Sequence, residues 1–251
     1  MAISIKSTRE IGLMQESGRI LEIVHDELYQ ALRPGMTTKD IDRLGEEVIR
    51  SYGCIPSFLN YNGYPASICV SLNDEVVHGI PSDKRVIQEG DIVSLDAGVI
   101  YKGYHSDAAR TYAVGEVSQS AKDLIRVTEE SFFEGIKYAK EGHYLYEISA
   151  AIGRYANERG YGVVRDLCGH GIGSNLHESP EIPNYEMERK GPKLRRGMTL
   201  AIEPMINAGT WEVDWLDDDW TVVTRDGSLS AHYENTVLIT DGEPVLLTLS
   251  K

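Results

Sequence analysis

The chain has 251 residues, 41% apolar and 25% charged, enough to bury a core without disulfide or metal staples and too apolar for long disorder. Its 25 Lys+Arg against 39 Asp+Glu give a net charge of −14, which argues against broad nonspecific nucleic-acid binding. Cys54, Cys69 and Cys168 form no C-x-x-C pair, the first residues carry no signal-peptide pattern, and no apolar run nears roughly 18 residues, so the expectation is a soluble protein of a reducing cytoplasm, binding neither membrane nor DNA.

Residues 7–32 place Ile11, Met14, Leu21, Val24, Leu28 and Leu32 at helical spacing, opened by a Ser7/Glu10 capping box and stopped by Pro34-Gly35. A second helix is expected from Thr38 to about Tyr52, with Ile41, Leu44 and Val48 inward and Gly53 closing it. From Cys54 to Val114, short β-branched and aromatic runs broken by Gly, Pro and Asn read as strands and loops. Helical pattern returns over about 120–140 and 144–159, and strand-and-loop texture fills the rest. The order is two helices, strands, two helices, strands. An offset of 107 aligns Gly35 with Gly142, Asp40 with Glu147, Ile41 with Ile148, Gly53 with Gly160, Gly90 with Gly197 and Asp96 with Glu203. No linker composition separates the halves. The expectation is one domain, 1–251, of two similar halves (about 1–117 and 118–251) sharing a mixed or antiparallel sheet with helices on one side.

The stretch 91–114 reads as a hairpin turning near Lys102-Gly103. With an even loop, paired residue numbers sum to about 203 or 205, so Asp96 and Asp107 share a face, opposite or diagonal, at roughly 5–8 Å between Cβ atoms. Two such acids repel unless something positive lies between them. Glu203 interrupts the apolar strand 198–206, and Glu234 interrupts the apolar strand 231–239. For any one of these acids alone, a side chain pointing out of a half-exposed strand is the simpler reading. For all four, with only Arg110 nearby in sequence, a metal site is favoured. Three glycines around His170, in Cys168-Gly-His-Gly-Ile-Gly173, permit a close backbone approach. His177 follows seven residues later, and His78 is a third candidate. Two divalent cations cancel four carboxylates, and a bridging hydroxide leaves the cluster near −1; one cation would leave a costly buried excess. Oxygen donors with one imidazole suit Mn, Fe or Co, with Zn possible and Cys168 packed rather than ligating.

The set Asp96, Asp107, His170, Glu203 and Glu234 resembles the dinuclear site of the pita-bread metallopeptidases. The segments Asn60-Tyr-Asn-Gly-Tyr-Pro65, Asn73-Asp-Glu-Val-Val-His-Gly-Ile-Pro81, Cys168-Gly-His-Gly-Ile-Gly173, Ile202-Glu-Pro-Met205 and Tyr233-Glu234 are similar to type I methionine aminopeptidases, in their short bacterial form. The resemblance runs over nearly the whole chain. It implies an α+β pita-bread fold: pseudo-twofold duplicated halves and a curved, mainly antiparallel sheet covered by two helix pairs.

For the site, the resemblance implies that Asp96 chelates one metal, Asp107 and Glu234 bridge both, and His170 and Glu203 complete the other. A bridging water then attacks the carbonyl of an N-terminal Met, with Glu203 as proton shuttle, His177 as oxyanion donor and His78 near the scissile amide. The substrate's α-amine would bind a metal. Phe58, Tyr61, Tyr64, Cys69, Leu176 and Trp220 match the thioether pocket, Leu176 standing where the family often has an aromatic residue. Asn73, Glu75 and Ser230 match a monovalent-cation site of relatives.

Three rival readings share some of these features. A Xaa-Pro peptidase would usually carry a large extra N-terminal domain. A catalytically dead peptide or ribosome binder would have lost ligands. A dinuclear phosphoesterase would need an Arg or Lys clamp. A monomer acting on nascent chains is expected, with weak ribosome contact at most. Segment 210–220, with five acids and no cation, would rim the mouth beside Trp220, while the cations of 189–196 form a solvated loop or an RNA contact.

Overall fold

In a computed structural model of the chain, the structure describes residues 2–249; Met1, which the sequence offers as a candidate substrate residue before Ala2, lies outside them. Among the described residues four α-helices form where the apolar periodicity places them: α1 (Thr8–Ala31), α2 (Thr38–Ser51), α3 (Gln119–Ile136) and α4 (Leu145–Asn157). The Ser7 and Glu10 capping box opens α1, and Thr37 with Asp40 opens α2 in the same way. In α4 the Glu147 carboxylate accepts the Tyr144 N–H at 2.6 Å. Helix α3 stops four residues before the expected end at Lys140, because that residue leaves the helix to bridge Thr240.

The strand segment Ile92–Tyr101 runs antiparallel to Tyr104–Ala113, joined by Lys102 and Gly103, both at positive φ. That is the two-residue turn whose twist matches a hairpin. Paired numbers sum to 205: Asp96 faces Ala109 and Gly98 faces Asp107, so the two acids are diagonal neighbours on one face. Ile68–Leu72 and Ile55–Pro56 complete this sheet.

In the second half, five strands lie in the order Val245–Leu246, Asn235–Leu238, Thr199–Ile202, Gly169–Gly171, Glu178–Ile182. Two three-stranded pieces contain Met205–Asn207 with Ser230–His232, and Val213–Trp215 with Val222–Thr224. All these strand pairs are antiparallel. The expected single shared sheet is therefore divided into four hydrogen-bonded pieces. The expected strands 198–206 and 231–239 are each broken at their carboxylate. At Glu203-Pro204 the proline has no N–H to continue a ladder. At Tyr233-Glu234 the chain passes from one sheet to another.

One apolar core gathers α1, α2 and the first sheet, including Leu21, Val24, Leu28, Ile41, Val93 and Leu95. A second gathers α3, α4 and the five-stranded sheet, including Phe132, Ile148, Ile152, Leu200, Ile202 and Val237. The halves are stitched along one seam. Glu234 N–H donates to Ala109 O at 3.0 Å. The Thr236 hydroxyl accepts from Asp107 N–H and donates to Asp107 O, both at 2.9 Å. The Thr111 hydroxyl exchanges the same pair of bonds with His232.

Candidate metal centre and its cavity

The seam brings the acids together. Asp107, His170 and Glu234 are 4%, 6% and 2% exposed, and one ligand atom from each lies within 4.8 Å of the others. His170 Nε2 stands 3.8 Å from Asp107 Oδ2 and 3.6 Å from Glu203 Oε1. These are too long for hydrogen bonds. They are shorter than two metal–ligand bonds of roughly 2.0–2.2 Å end to end, so a cation fits between the groups. His170 Nδ1–H donates to Gly171 O at 2.9 Å, which turns the Nε2 lone pair toward the acids.

Asp96 Oδ1, Asp107 Oδ1 and Glu234 Oε1 are buried and have no hydrogen-bond partner. Arg110 does not neutralise these acids. Its guanidinium donates to the Ala109 and Glu234 backbone carbonyls and to Asn235 Oδ1. Burial raises all four acids. Asp96 moves up to about 7 and Glu203 to about 8. Asp107 and Glu234 are raised well above the carboxylate range, by burial first and then by neighbouring acids. Without a cation the cluster holds protons that a metal would displace. Burial pushes the His170 imidazole down to about 3, so it is neutral and able to ligate.

One cavity touches all five of these residues together with Phe58, Tyr61, Tyr64, Cys69, His78, Leu176, His177 and Trp220. Every candidate metal, catalytic and substrate-pocket residue therefore opens onto the same space. Phe58, Tyr64, Cys69 and Leu176 are buried apolar walls. Trp220 meets Tyr64 edge to face, ring centres 5.1 Å apart. The Tyr64 hydroxyl donates to Gly79 O at 2.9 Å. His78 adopts φ 60, an uncommon conformation for a residue with a side chain. His177 Nδ1 is hydrogen-bonded to the Tyr61 hydroxyl at 2.7 Å, and its ring centre lies 4.1 Å from that of His170.

The glycines beside His170 admit neighbouring strands: a Cβ on Gly169 would lie 2.3 Å from Ala201 O, and one on Gly171 2.2 Å from Ser179 O. Segment 210–220 is not without cations in space, because Arg225 pairs with Glu212 and Asp214. Asp218 is used locally, accepting Trp220 N–H and Thr221 N–H. Asn73 and Ser230 come close through backbone bonding, Ser230 N–H donating to Asn73 O. The Glu75 carboxylate already takes Leu72 N–H and Arg85. Three residues escaped the sequence reading: Asn62 in the cavity wall, Asn184 holding Glu203 O at 3.0 Å, and His232. Asn62 lies within the segment 60–65 that carries the resemblance, but nothing in the sequence marks Asn184. His232 is two residues before Glu234, the spacing that shares a strand face.

Metallopeptidase family M24 matches residues 12–241. The chain is 55% identical to the methionine aminopeptidase of Clostridium acetobutylicum, over 98% of this chain and 99% of that protein. The crystal structure of the Thermotoga maritima methionine aminopeptidase superposes with a TM-score of 0.97 at 44% identity, covering 99% of this chain and 100% of that one. The Xaa-Pro dipeptidase of Bacillus anthracis superposes less closely, with a TM-score of 0.79 at 28% identity. That match covers 98% of this chain but 62% of the dipeptidase, the size difference that the sequence led one to expect. The pita-bread architecture, the buried acid cluster and these matches together place the chain in metallopeptidase family M24, among its methionine aminopeptidases.

Proposed function

We propose that this chain acts as one catalytic domain, 1–251, removing the N-terminal methionine of peptides and nascent proteins when the second residue is small. The observation that carries the reading is the shared cavity: four carboxylates and one imidazole that no Lys or Arg among the described residues pairs with, beside a buried apolar and aromatic pocket. Asp96, Asp107, His170, Glu203 and Glu234 would hold two divalent cations, drawn from Mn, Fe, Co or Zn. When bound, these supply Lewis acidity and bring the pKa of water toward neutrality.

The chain's own groups do the rest. Glu203, partly open to the cavity, takes a proton from the attacking water and returns it to the leaving amine. With the Tyr61 hydroxyl donating to Nδ1, His177 keeps its proton on Nε2, free to stabilise the oxyanion. His78, pushed down to about 4 by burial, is neutral and stands beside the scissile amide. Phe58, Tyr61, Tyr64, Cys69, Leu176 and Trp220 enclose the unbranched thioether. Crowding by His78 and Tyr64 admits Ala, Gly, Ser, Thr, Pro, Val or Cys as second residue and disfavours Leu, Lys or Phe.

Among the described residues no helix is long and apolar enough to cross a membrane. We place the enzyme in the cytoplasm as a monomer with weak ribosome contact. A monovalent cation near Asn73, Glu75 and Ser230 would rely on backbone carbonyls. Hydrolysis of Met-Ala-Ser, Met-Lys, Ala-Pro and a phosphoester, with each metal restored to apo-protein, tests the reading. Fast cleavage of Met-Ala-Ser alone is expected; equal rates on Met-Ala-Ser and Met-Lys would contradict it.

A further inference from the structure

His232 is 2% exposed, and neither of its ring nitrogens has a hydrogen-bond partner. A neutral imidazole carries one N–H and one lone pair, and leaving both unmet inside a protein is costly. The ring is not loosely placed. Its backbone is fixed on both sides by the Thr111 hydroxyl, at 2.8 Å from N and 2.9 Å from O. It also pairs with Met205 across the ladder, two residues beyond Glu203. This fixed ring points its Nε2 at Glu203 Oε2, 3.6 Å away. The other oxygen, Oε1, lies 3.6 Å from His170 Nε2. The Glu203 carboxylate therefore sits between two imidazoles, one at each oxygen, and only His170 opens onto the cavity.

We propose that His232 is a positioning residue for Glu203: its Nε2–H closes on Oε2 when the metal site is loaded, fixing the carboxylate so that Oε1 faces the cluster. The inference rests on the metal-site reading above. A gap of 3.6 Å is open by roughly 0.7–0.9 Å relative to a charge-assisted bond, and such contacts are often long in a metal-free or substrate-free site. Metal-ligating groups depend on partners of this kind, whose loss typically costs about 10–100-fold in metal affinity. The free Glu203 backbone is already restrained by Asn184 at its carbonyl, so side-chain rotation is the freedom that His232 removes.

The test is calorimetric titration of metal-free protein with Mn²⁺, alongside thermal melting of the metal-free form. His232→Leu fills a similar volume without donors. Its metal-free form should melt at or above wild type, because an unsatisfied polar group has gone, yet it should bind Mn²⁺ about 10–100-fold more weakly. His232→Gln, whose amide can reach the same oxygen, should bind nearly as wild type. Should the Leu variant not fold, His232→Asn serves in its place; one methylene shorter than Gln, it must bind weakly where Gln binds tightly. Wild-type Mn²⁺ affinity in the Leu or Asn variant, or a Gln variant no tighter than these, overturns the inference. Wild-type protein that takes up no Mn²⁺ overturns the metal-site reading itself.

Discussion

The hairpin of the first half and its counterpart in the second hold their acids in different ways. Asp96 and Asp107 lie on two unbroken ten-residue strands joined by a two-residue turn. Glu203 and Glu234 lie where strands stop: between Thr199–Ile202 and Met205–Asn207, and between Ser230–His232 and Asn235–Leu238. Ladder partners on both sides, Cys69 and Ala109, pin Asp96, while Asp107 has the ladder on one side and the Thr236 hydroxyl on the other. The second pair depends on side-chain and seam bonds, from Asn184 and from Ala109 O. The break has a further consequence. Instead of a tight turn, the chain makes an excursion over 208–229 whose hairpin delivers Trp220 to the cavity. The ladder itself orients a carboxylate on an unbroken strand, whereas a carboxylate outside the ladder, such as that of Glu203, needs neighbouring side chains to orient it.

The strongest way to break this comparison is to remove one acid from each side. Asp96→Ala and Glu234→Ala should each abolish turnover and reduce metal stoichiometry below two, measured by metal analysis of the purified variants. Wild-type-like turnover in either would end the reading in which both halves supply ligands. The next effect is smaller and separates ligands from the groups around them. His177→Ala should lower kcat by about 10²–10³, the usual cost of one lost oxyanion donor, with both metals retained. Loss of metal in that variant would move His177 into the ligand set.

Acidity sharpens the comparison through stability. Asp96 titrates near 7 and Glu203 near 8 in the folded, metal-free protein, both raised by burial from ordinary carboxylate values. Between about pH 7.5 and 8.5 an unfolded chain has already lost these protons while the folded one still binds some. Stability of the metal-free form should therefore fall as pH rises through this window. The buried histidines, lowered in the fold from an unfolded value near 6.5, oppose the trend below about pH 7.5; above it they are neutral in both states. Added Mn²⁺ displaces the protons and should reverse the slope. Melting curves with chelator and with Mn²⁺ test this; a chelated protein that gains stability from about pH 7.5 to 8.5 would contradict it.

The smallest effect concerns the excursion that only the second half makes. Arg225 offsets part of its acidity, but Asp217 and Asp219 remain exposed beside Trp215, itself 51% exposed. Ribosome affinity should be weak and carried by Arg189, Lys190, Lys193, Arg195 and Arg196, so charge reversal over 189–196 should lower cosedimentation at low salt. Tight binding that survives that change and weakens when 212–219 is neutralised would make the acidic excursion the docking surface.

The four helices were legible because their stripes, caps and stops are local: Ser7 with Glu10, the Ile41 face, Gly53 at φ +69. The diagonal of Asp96 and Asp107 was legible because strand parity and an even turn fix which side chains share a face. The four carboxylates suggested a metal because charged groups inside apolar strands demand a counter-charge that the sequence near them lacks, whereas the ligand roles and the pocket residues came from the resemblance alone. Tertiary structure alone decided the rest. Which oxygens face His170, the bond from Tyr61 to His177, the turn of Arg110 away from the acids and the partnerless ring of His232 all depend on contacts between the halves. Local periodicity specifies an element and its faces; it carries no information about which distant side chain will close a gap of a few ångströms across the seam.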